Sequence, residues 1–317
     1  MRTFLVTGGA GFIGSQIAEA LVERQDQVRV LDNLSMGHRQ NLAHIEDQVE
    51  FIEGDIRDPK VVAECVADVD TVFHQAALAS VPMSIEQPLE SNAACVTGTL
   101  NMLDQARRAG VRRFVCAASS AAYGDQPTSS KRENDALCPL SPYGAAKLAG
   151  EYYCRAFYHT FGFETVCLRY FNVFGPRQDP NSPYSAVIPL FITAMLDGQR
   201  PVVYGDGLQS RDFTFVKNVV QGNLLAADAD GVGGAVINIA DGRATNLLQL
   251  IALLNEMLEL DLSPDHQPAR IGDVRESLAD ITQARTRLGY DPQIGFEEGL
   301  RRSIEYYRTV AESRPTS

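Results

Sequence analysis

The residues best suited to chemistry begin with a glycine-rich stretch, Thr7-Gly8-Gly9-Ala10-Gly11-Phe12-Ile13-Gly14. Its glycines fit both G-x-G-x-x-G (Gly9, Gly11, Gly14) and G-x-x-G-x-x-G (Gly8, Gly11, Gly14). An apolar run, Phe4-Leu5-Val6, precedes it, and a helical pattern of Ile13, Ile17 and Leu21 follows. A glycine turn between a strand and a helix aims backbone N–H groups and the positive helix end at one point, where a pyrophosphate can sit. Asp32 lies roughly 20 positions further on, where a carboxylate can accept hydrogen bonds from ribose hydroxyls. Much later, Tyr143 and Lys147 stand four apart behind Pro142, on one face of a helix that the proline starts.

These residues need elements to hold them. The first half alternates short apolar strands with helical patterns. Strands are expected at Thr3–Thr7, Gln27–Asp32, Val49–Glu53, Thr71–Gln75, Arg113–Ser119 and Glu164–Tyr170, and helices at Ser15–Arg24, Pro59–Val66, Asn92–Ala109 and Tyr143–Thr160. That order predicts an α/β, doubly wound parallel sheet with helices on both faces. Ligands on such a sheet bind outside the carboxyl ends of its strands. The segments at those ends are Asp32-Asn33-Leu34, Gly54-Asp55-Ile56, Gln75-Ala76-Ala77-Leu78-Ala79-Ser80 and Ser119-Ser120. The Asp32 carboxylate would repel a 2′-phosphate and no arginine follows it at once, which favours NAD over NADP; Arg39 is the nearest residue that argues otherwise.

Composition excludes several classes. The chain has 317 residues, 45% of them hydrophobic, enough for one large domain or two intimate ones. A formal net charge of −12 argues against a nucleic-acid surface, so an anionic ligand needs local arginines. None of the six cysteines forms a C-x-x-C pair, and most are read as reduced core thiols. The five histidines lack H-E-x-x-H spacing, so no metal site is expected. No apolar run reaches membrane length and the first strand starts almost at once, which points to a cytoplasmic protein.

Together the glycine turn, Asp32, the Ser119 region and Tyr143-x-x-x-Lys147 resemble the extended short-chain dehydrogenase/reductases, and within them the nucleotide-sugar epimerases and dehydratases. The likeness continues through Arg169-Tyr170-Phe171-Asn172-Val173-Phe174-Gly175-Pro176, Gly205-Asp206-Gly207, Ser210-Arg211-Asp212-Phe213 and Gly272-Asp273-Val274, to about residue 310. It implies a Rossmann NAD-binding domain over residues 1–172, with a return segment near 213–239, and a smaller mixed α/β nucleotide-sugar domain over 173–317. It also implies that Gly8, Gly11, Phe12, Ile13, Gly14, Asp32, Asn33, Asp55, Ile56, Gln75, Ala76, Ala77, Tyr143, Lys147 and Tyr170 hold NAD.

In that family the tyrosine phenolate removes a proton from a sugar hydroxyl while the carbon below gives a hydride to NAD⁺. Bringing a tyrosine from about 10 to neutrality takes roughly 4 kcal/mol of differential stabilisation. A lysine and the nicotinamide charge in a water-poor site can supply it. The resemblance makes Ser119, Tyr143 and Lys147 catalytic. Related 4,6-dehydratases carry Asp-Glu after the serine position, and decarboxylases a Glu; here Ser120 and Ala121 follow. Without those carboxylates the simplest cycle is oxidation at C4, rotation of the keto sugar and hydride return, which is 4-epimerisation with NAD retained.

For the substrate, the resemblance points to Ala79, Ser80, Ser119, Ser120, Tyr143, Asn172, Val187, Tyr204, Arg211, Arg270, Asp273 and Ser277. Arg211 and Arg270 match arginines on the diphosphate, where charge-assisted, partly bidentate contacts suit a UDP-sugar. Val187-Ile188-Pro189 and Val203-Tyr204-Gly205 are read as walls of a base pocket or as core. Ser277 matches a position that is a bulky tyrosine in epimerases of plain hexoses, so a serine leaves room for an N-acetyl group. The expected activity is interconversion of UDP-GlcNAc and UDP-GalNAc, with UDP-Glc/UDP-Gal secondary. A uronic-acid epimerase, a reductase or a non-catalytic NAD or nucleotide-sugar sensor would share the scaffold. Cys95 stands where relatives usually carry an asparagine that anchors the serine turn. Helices 92–109 and 143–160 match a family dimer interface, with Tyr152, Phe157 and Tyr158 as surplus apolar residues, which implies a homodimer.

Overall fold

The computed structural model describes residues 2–126, 128, 130–180, 186–269 and 274–312. Strands β1 (Thr3–Thr7), β2 (Gln27–Asp32), β3 (Val49–Glu53), β4 (Thr71–His74), β5 (Arg113–Ser119) and β6 (Glu164–Tyr170) fall where the apolar runs predict them. The chain then leaves through β7 (Val173–Phe174), β8 (Val202–Tyr204), β9 (Ser210–Asp212) and β10 (Thr214–Phe215), and returns with β11 (Ala235–Ile239). The order β11-β6-β5-β4-β1-β2-β3 makes a seven-stranded sheet whose pairings are all parallel. The order reverses between β1 and β4, and that switch point is where such a sheet opens a crevice.

Both faces are covered, which is why these strands read as continuous apolar runs. In β1, Phe4 and Val6 pack with Ile17 and Leu21 of α1 (Phe12–Glu23), whereas Leu5 faces the opposite core. That second core holds Val62 of α2 (Pro59–Cys65) and Phe114. Burying each such aliphatic or aromatic side chain contributes about 1.5–3 kcal/mol.

Two helices differ from the expected bounds by more than one residue. α1 starts three residues before Ser15, with Gly11 as its N-cap and no capping side chain. The helix expected from Asn92 forms as one continuous helical run, but it starts earlier and contains a π-helical stretch, with αR dihedrals at every junction. α3 (Val81–Glu86) and α4 (Pro88–Asn92) lead into a π-helical stretch at Ala93–Gly98 and then α5 (Thr99–Arg108). Each of α3 and α4 carries a proline in its first turn, a position that needs no N–H. α6 (Pro142–Phe161) is bounded by Ser141, whose hydroxyl accepts from Gly144 N–H at 3.1 Å, and by Gly162 at φ +66°.

The second half contributes α7 (Val187–Leu196), α8 (Val216–Asp228) and α9 (Leu247–Leu258), with β12 (Ala244–Asn246), β13 (Asp265–Gln267) and β14 (Glu276–Ser277). α10 (Phe296–Glu312) follows. α8 packs against α1 beside the main sheet, while α7, α9 and α10 share a separate core around Ile192, Leu250 and Ile304. A three-stranded sheet runs β12-β9-β14. No described helix is long and apolar enough to cross a membrane.

The six cysteines are free thiols, five of them buried and Cys138 exposed. Folding brings Cys116, Cys154 and Cys167 together, their sulfurs within 4.8 Å of one another, a grouping that linear spacing conceals. Of the three apolar residues read as surplus on α6, Phe157 belongs to the core, because it packs with Cys154 and Phe163. Tyr158 lies over Gly233 and Gly234, leaving Tyr152 exposed.

Candidate active site

A cleft of about 610 Å³ opens along the strand ends at the switch point. Every residue that the sequence assigns to the cofactor lines it, from Gly8 to Gly14, through Asp32, Asn33, Asp55 and Ile56, to Gln75–Ala77, Tyr143, Lys147 and Tyr170. Its glycines leave room that no side chain could share. A Cβ on Gly14 would stand 2.2 Å from the Gly8 carbonyl oxygen, and Gly8 has φ +66° with Ala76 N only 2.7 Å from a Cβ there. The first turn of α1 therefore presents its N–H groups, which have no intrahelical acceptor, toward the cleft. These features fit the pyrophosphate of a dinucleotide.

Asp32 is buried at the end of β2 and accepts from Ala10 N–H at 2.9 Å and Leu34 N–H at 2.8 Å. One donor per oxygen leaves lone pairs for ribose hydroxyls. Burial pushes its pKa up, against the pull of those two N–H groups. Arg39 stacks over the Phe51 ring, 4.3 Å from its centroid, and is not a wall of the cleft, so it does not offset the carboxylate. Asn33 donates to Asp55 at 2.9 Å, and Arg57 holds Asp55 at about 2, far below the usual carboxylate range. Arg57 also pairs with Glu90, tying α4 to the Asp55 end of the cleft.

Two of the three catalytic candidates, Tyr143 and Lys147, sit on the facing wall. Lys147 is buried and its Nζ donates to the Ala117 carbonyl at 2.8 Å, one turn of α6 beyond Tyr143. Burial pushes the Lys147 ammonium down, but the facing Tyr143 and the thiols of Cys95, Cys116 and Cys167 outweigh it, and its pKa ends above the usual lysine value. It is a cation at neutral pH. Tyr143 is half-buried, and its backbone N–H donates to the Ser84 hydroxyl at 3.0 Å. Ser119 ends β5 and accepts from Ala121 N–H at 3.2 Å, capping the short turn Ser120–Ala122. A hydroxyl that accepts through one lone pair still has its proton to give.

Behind this wall runs a buried polar chain. Ala76 N–H donates to Thr7 Oγ1 at 3.3 Å, Thr7 Oγ1 meets His74 Nδ1 at 2.8 Å, and His74 Nε2 meets Thr99 Oγ1 at 2.9 Å. Thr99 in turn donates to the Cys95 carbonyl at 2.8 Å. Burial holds His74 at about 4, so it is neutral and bridges two hydroxyls. The π-helical turn is thus pinned by the Cys95 backbone. Gln75 donates to Tyr170 OH at 3.1 Å, and Tyr170 donates to Asn223 at 2.9 Å; burial keeps that phenol protonated.

The residues assigned to the sugar nucleotide are more dispersed. Ala79 and Ser80 line the cleft, and Ser80 caps α3 by accepting from Met83 N–H. Ser119, Ser120, Asn172, Val187, Tyr204, Arg211 and Ser277 are not among its walls. Asn172 follows β6 at φ +26°, an uncommon conformation for a residue other than glycine, and its carbonyl accepts from Thr214 N–H. Arg211 in β9 stands in register with Ser277 of β14. Val187 opens α7 and Tyr204 closes β8, both half-buried, whereas Ile188 and Val203 are plain core. Arg270 and Asp273 lie outside the described residues. The cleft has walls that the sequence did not single out, among them Met36, Gly37, Arg57, Glu90, Gln178 and Asp179. Gly37 carried a signal, since a Cβ there would stand 2.9 Å from the Asp32 carboxylate.

A parallel sheet that switches order beside a glycine turn, with a Tyr-Lys helix facing it, defines an extended short-chain dehydrogenase/reductase. The chain belongs to the NAD dependent epimerase/dehydratase family, whose model matches residues 4–240. It is 36% identical over 318 residues to the UDP-glucose 4-epimerase of Mycolicibacterium smegmatis, covering 98% of this chain and 100% of that one. Among solved structures it resembles a UDP-N-acetylglucosamine 4-epimerase from Methanobrevibacter ruminantium in complex with UDP-N-acetylmuramic acid, with TM-score 0.94 and 40% identity over 98% of this chain and 99% of the other. It likewise resembles a UDP-glucose 4-epimerase from Thermotoga maritima with UDP-glucose, with TM-score 0.93 and 38% identity over 98% and 100% of the two chains.

Proposed function

We propose that this enzyme interconverts the C4 epimers of UDP-hexoses, with UDP-GlcNAc and UDP-GalNAc as its preferred pair and UDP-Glc/UDP-Gal as secondary substrates. The observation that carries the reaction type is the make-up of the catalytic wall. Tyr143 and Lys147 line the dinucleotide cleft, and the turn after Ser119 begins Ser120-Ala121, with no carboxylate to eliminate water or assist decarboxylation. The structural likeness to a UDP-N-acetylglucosamine 4-epimerase supports the acetylated pair, as does the small side chain of Ser277.

NAD, when bound, supplies a reversible hydride acceptor that is regenerated within the turnover, so it stays bound. Tyr143 takes the proton of the C4 hydroxyl as C4 is oxidised, and returns it as C4 is reduced on its other face. Lys147, fixed by the Ala117 carbonyl, keeps a positive charge beside that phenol and favours its ionised form. Ser119 donates to the same C4 oxygen. Arg211 and Arg270 hold the diphosphate, Asn172 anchors it, and Asp273 takes the uridine ribose, so the keto sugar can turn while its nucleotide stays put.

α6 with the helical run before it forms a face for a second copy of the chain. Tyr152, Tyr153 and Phe161 are exposed there, as are Ile85 and Leu89 nearby. A monomer across micromolar concentrations in sedimentation would argue against the homodimer.

The deciding experiment incubates purified enzyme with UDP-GlcNAc, UDP-Glc and UDP-GlcA in turn, without added cofactor. Conversion of the acetylated sugar is expected first. Conversion of the uronic acid alone would overturn the substrate, and no conversion of any would overturn the activity.

A further inference from the structure

Asp212 occupies a seam. It is the last residue of β9, its carboxylate is fully buried, and it binds backbone from two remote segments. Oδ1 accepts from Asp241 N–H at 3.0 Å; Oδ2 accepts from Gly242 N–H at 3.1 Å and from Ala279 N–H at 3.2 Å. Asp241 and Gly242 follow β11, the last strand of the seven-stranded sheet, and Ala279 follows β14 and bridges to Lys131. Among the described residues no cation pairs with it, and the ionisable groups that sense it, Asp241 and Tyr290, carry no positive charge. Placing a carboxylate there without a counter-ion costs free energy that backbone donors must offset. Such fully satisfied buried groups rigidify what they join.

Successive side chains of a strand point to opposite faces, so the register that turns Asp212 inward turns its neighbour Arg211 the other way. Arg211 is paired in register with Ser277, two residues before Ala279. We propose that Asp212 is the positioning residue that locks the strands carrying Arg211 and Ser277 to the cofactor-binding sheet, and so sets where the nucleotide sugar lies over the dinucleotide. It rests on the activity proposed above and touches neither ligand. An asparagine keeps the shape but turns an NH₂ group toward backbone N–H groups, which breaks one side of the clamp.

The test compares holoenzyme and Asp212→Asn for KM, kcat and retained NAD. The clamp predicts that KM for UDP-GlcNAc rises about tenfold or more while kcat and NAD content stay within about twofold. A residue that only supports the fold would lower thermal stability and active fraction and leave KM alone; an unchanged KM overturns the proposal. If the variant does not fold, amide exchange in the native enzyme decides. Asp241, Gly242 and Ala279 should be as protected as Ile237 of β11, and exchange at loop rates would sink the clamp. An enzyme that converts no UDP-sugar refutes the activity, while the exchange pattern still judges the clamp.

Discussion

The Ser84 hydroxyl accepts the backbone N–H of Tyr143 at 3.0 Å and donates to the Val81 carbonyl at 2.7 Å. Ser84 is fully buried. Tyr143 occupies the second position of α6, where an N–H has no intrahelical acceptor. The cap arrives from α3, the helix whose own N-cap, Ser80, lines the cleft. The cleft wall at Ser80 and the backbone of the proposed base are thereby one mechanical unit.

Ser84→Ala should therefore lower kcat more than affinity. An orphaned buried N–H costs about 1–3 kcal/mol, so unfolding titrations should show a loss of that order. Turnover should drop about tenfold as the phenol loses its fixed position. A variant with native kcat and native stability would show the contact to be incidental.

Gly14→Ala places a Cβ against backbone atoms that cannot step aside. Purified wild-type protein should release close to one NAD per chain on denaturation, and this variant should release almost none. Equal cofactor content in the two would mean that the glycine turn is not the pyrophosphate cradle.

Ser277→Tyr fills the space proposed for the acetamido group. Specificity for UDP-GlcNAc, read as kcat/KM, should fall about a hundredfold while that for UDP-Glc changes little. Parallel loss of both substrates would remove Ser277 as the gate.

Asp212 also gives stability a pH signature. Burial raises its pKa from 3.8 to about 7, so the folded chain binds a proton that the unfolded chain releases in that window. Stability from this group is full below about pH 4 and is lost as pH rises toward 7, by roughly 4 kcal/mol at most. The measurable form is a difference: wild type minus Asp212→Asn should decline across that range in denaturant titrations. A flat difference would show that backbone donors already hold Asp212 ionised at low pH.

Much of the cofactor half was legible because its signals are local. Six strands announce themselves as apolar runs, and residues at their carboxyl ends must share one crevice whatever the details of packing. α1 starts at Phe12, three residues before the expected Ser15, and its N-cap, Gly11, has no side chain to cap the first-turn N–H groups, which stay free for a ligand. The π-helical stretch at Ala93–Gly98 has no periodic signature, and arises beside Gly98, where a Cβ would meet Ile56 at 2.6 Å. The second half was less legible. Its strands are two or three residues long, and their partners, such as Arg211 with Ser277, are fixed by tertiary register.

The excursion between β6 and β11 bears on how the chain can be made and cut. The sheet's outer strand arrives 65 residues after β6 ends, counting from Tyr170 to Ala235. A fragment ending near residue 172 would expose β6 as a bare edge, inviting intermolecular strand pairing. It would also strand the Tyr123 hydroxyl, whose acceptor is Asn238 of β11 at 2.7 Å. During synthesis the seven-stranded sheet cannot close before the excursion carrying β7 to β10, α7 and α8 has emerged. A chain terminated before β11 yields an open-edged, aggregation-prone sheet, not a free NAD-binding module.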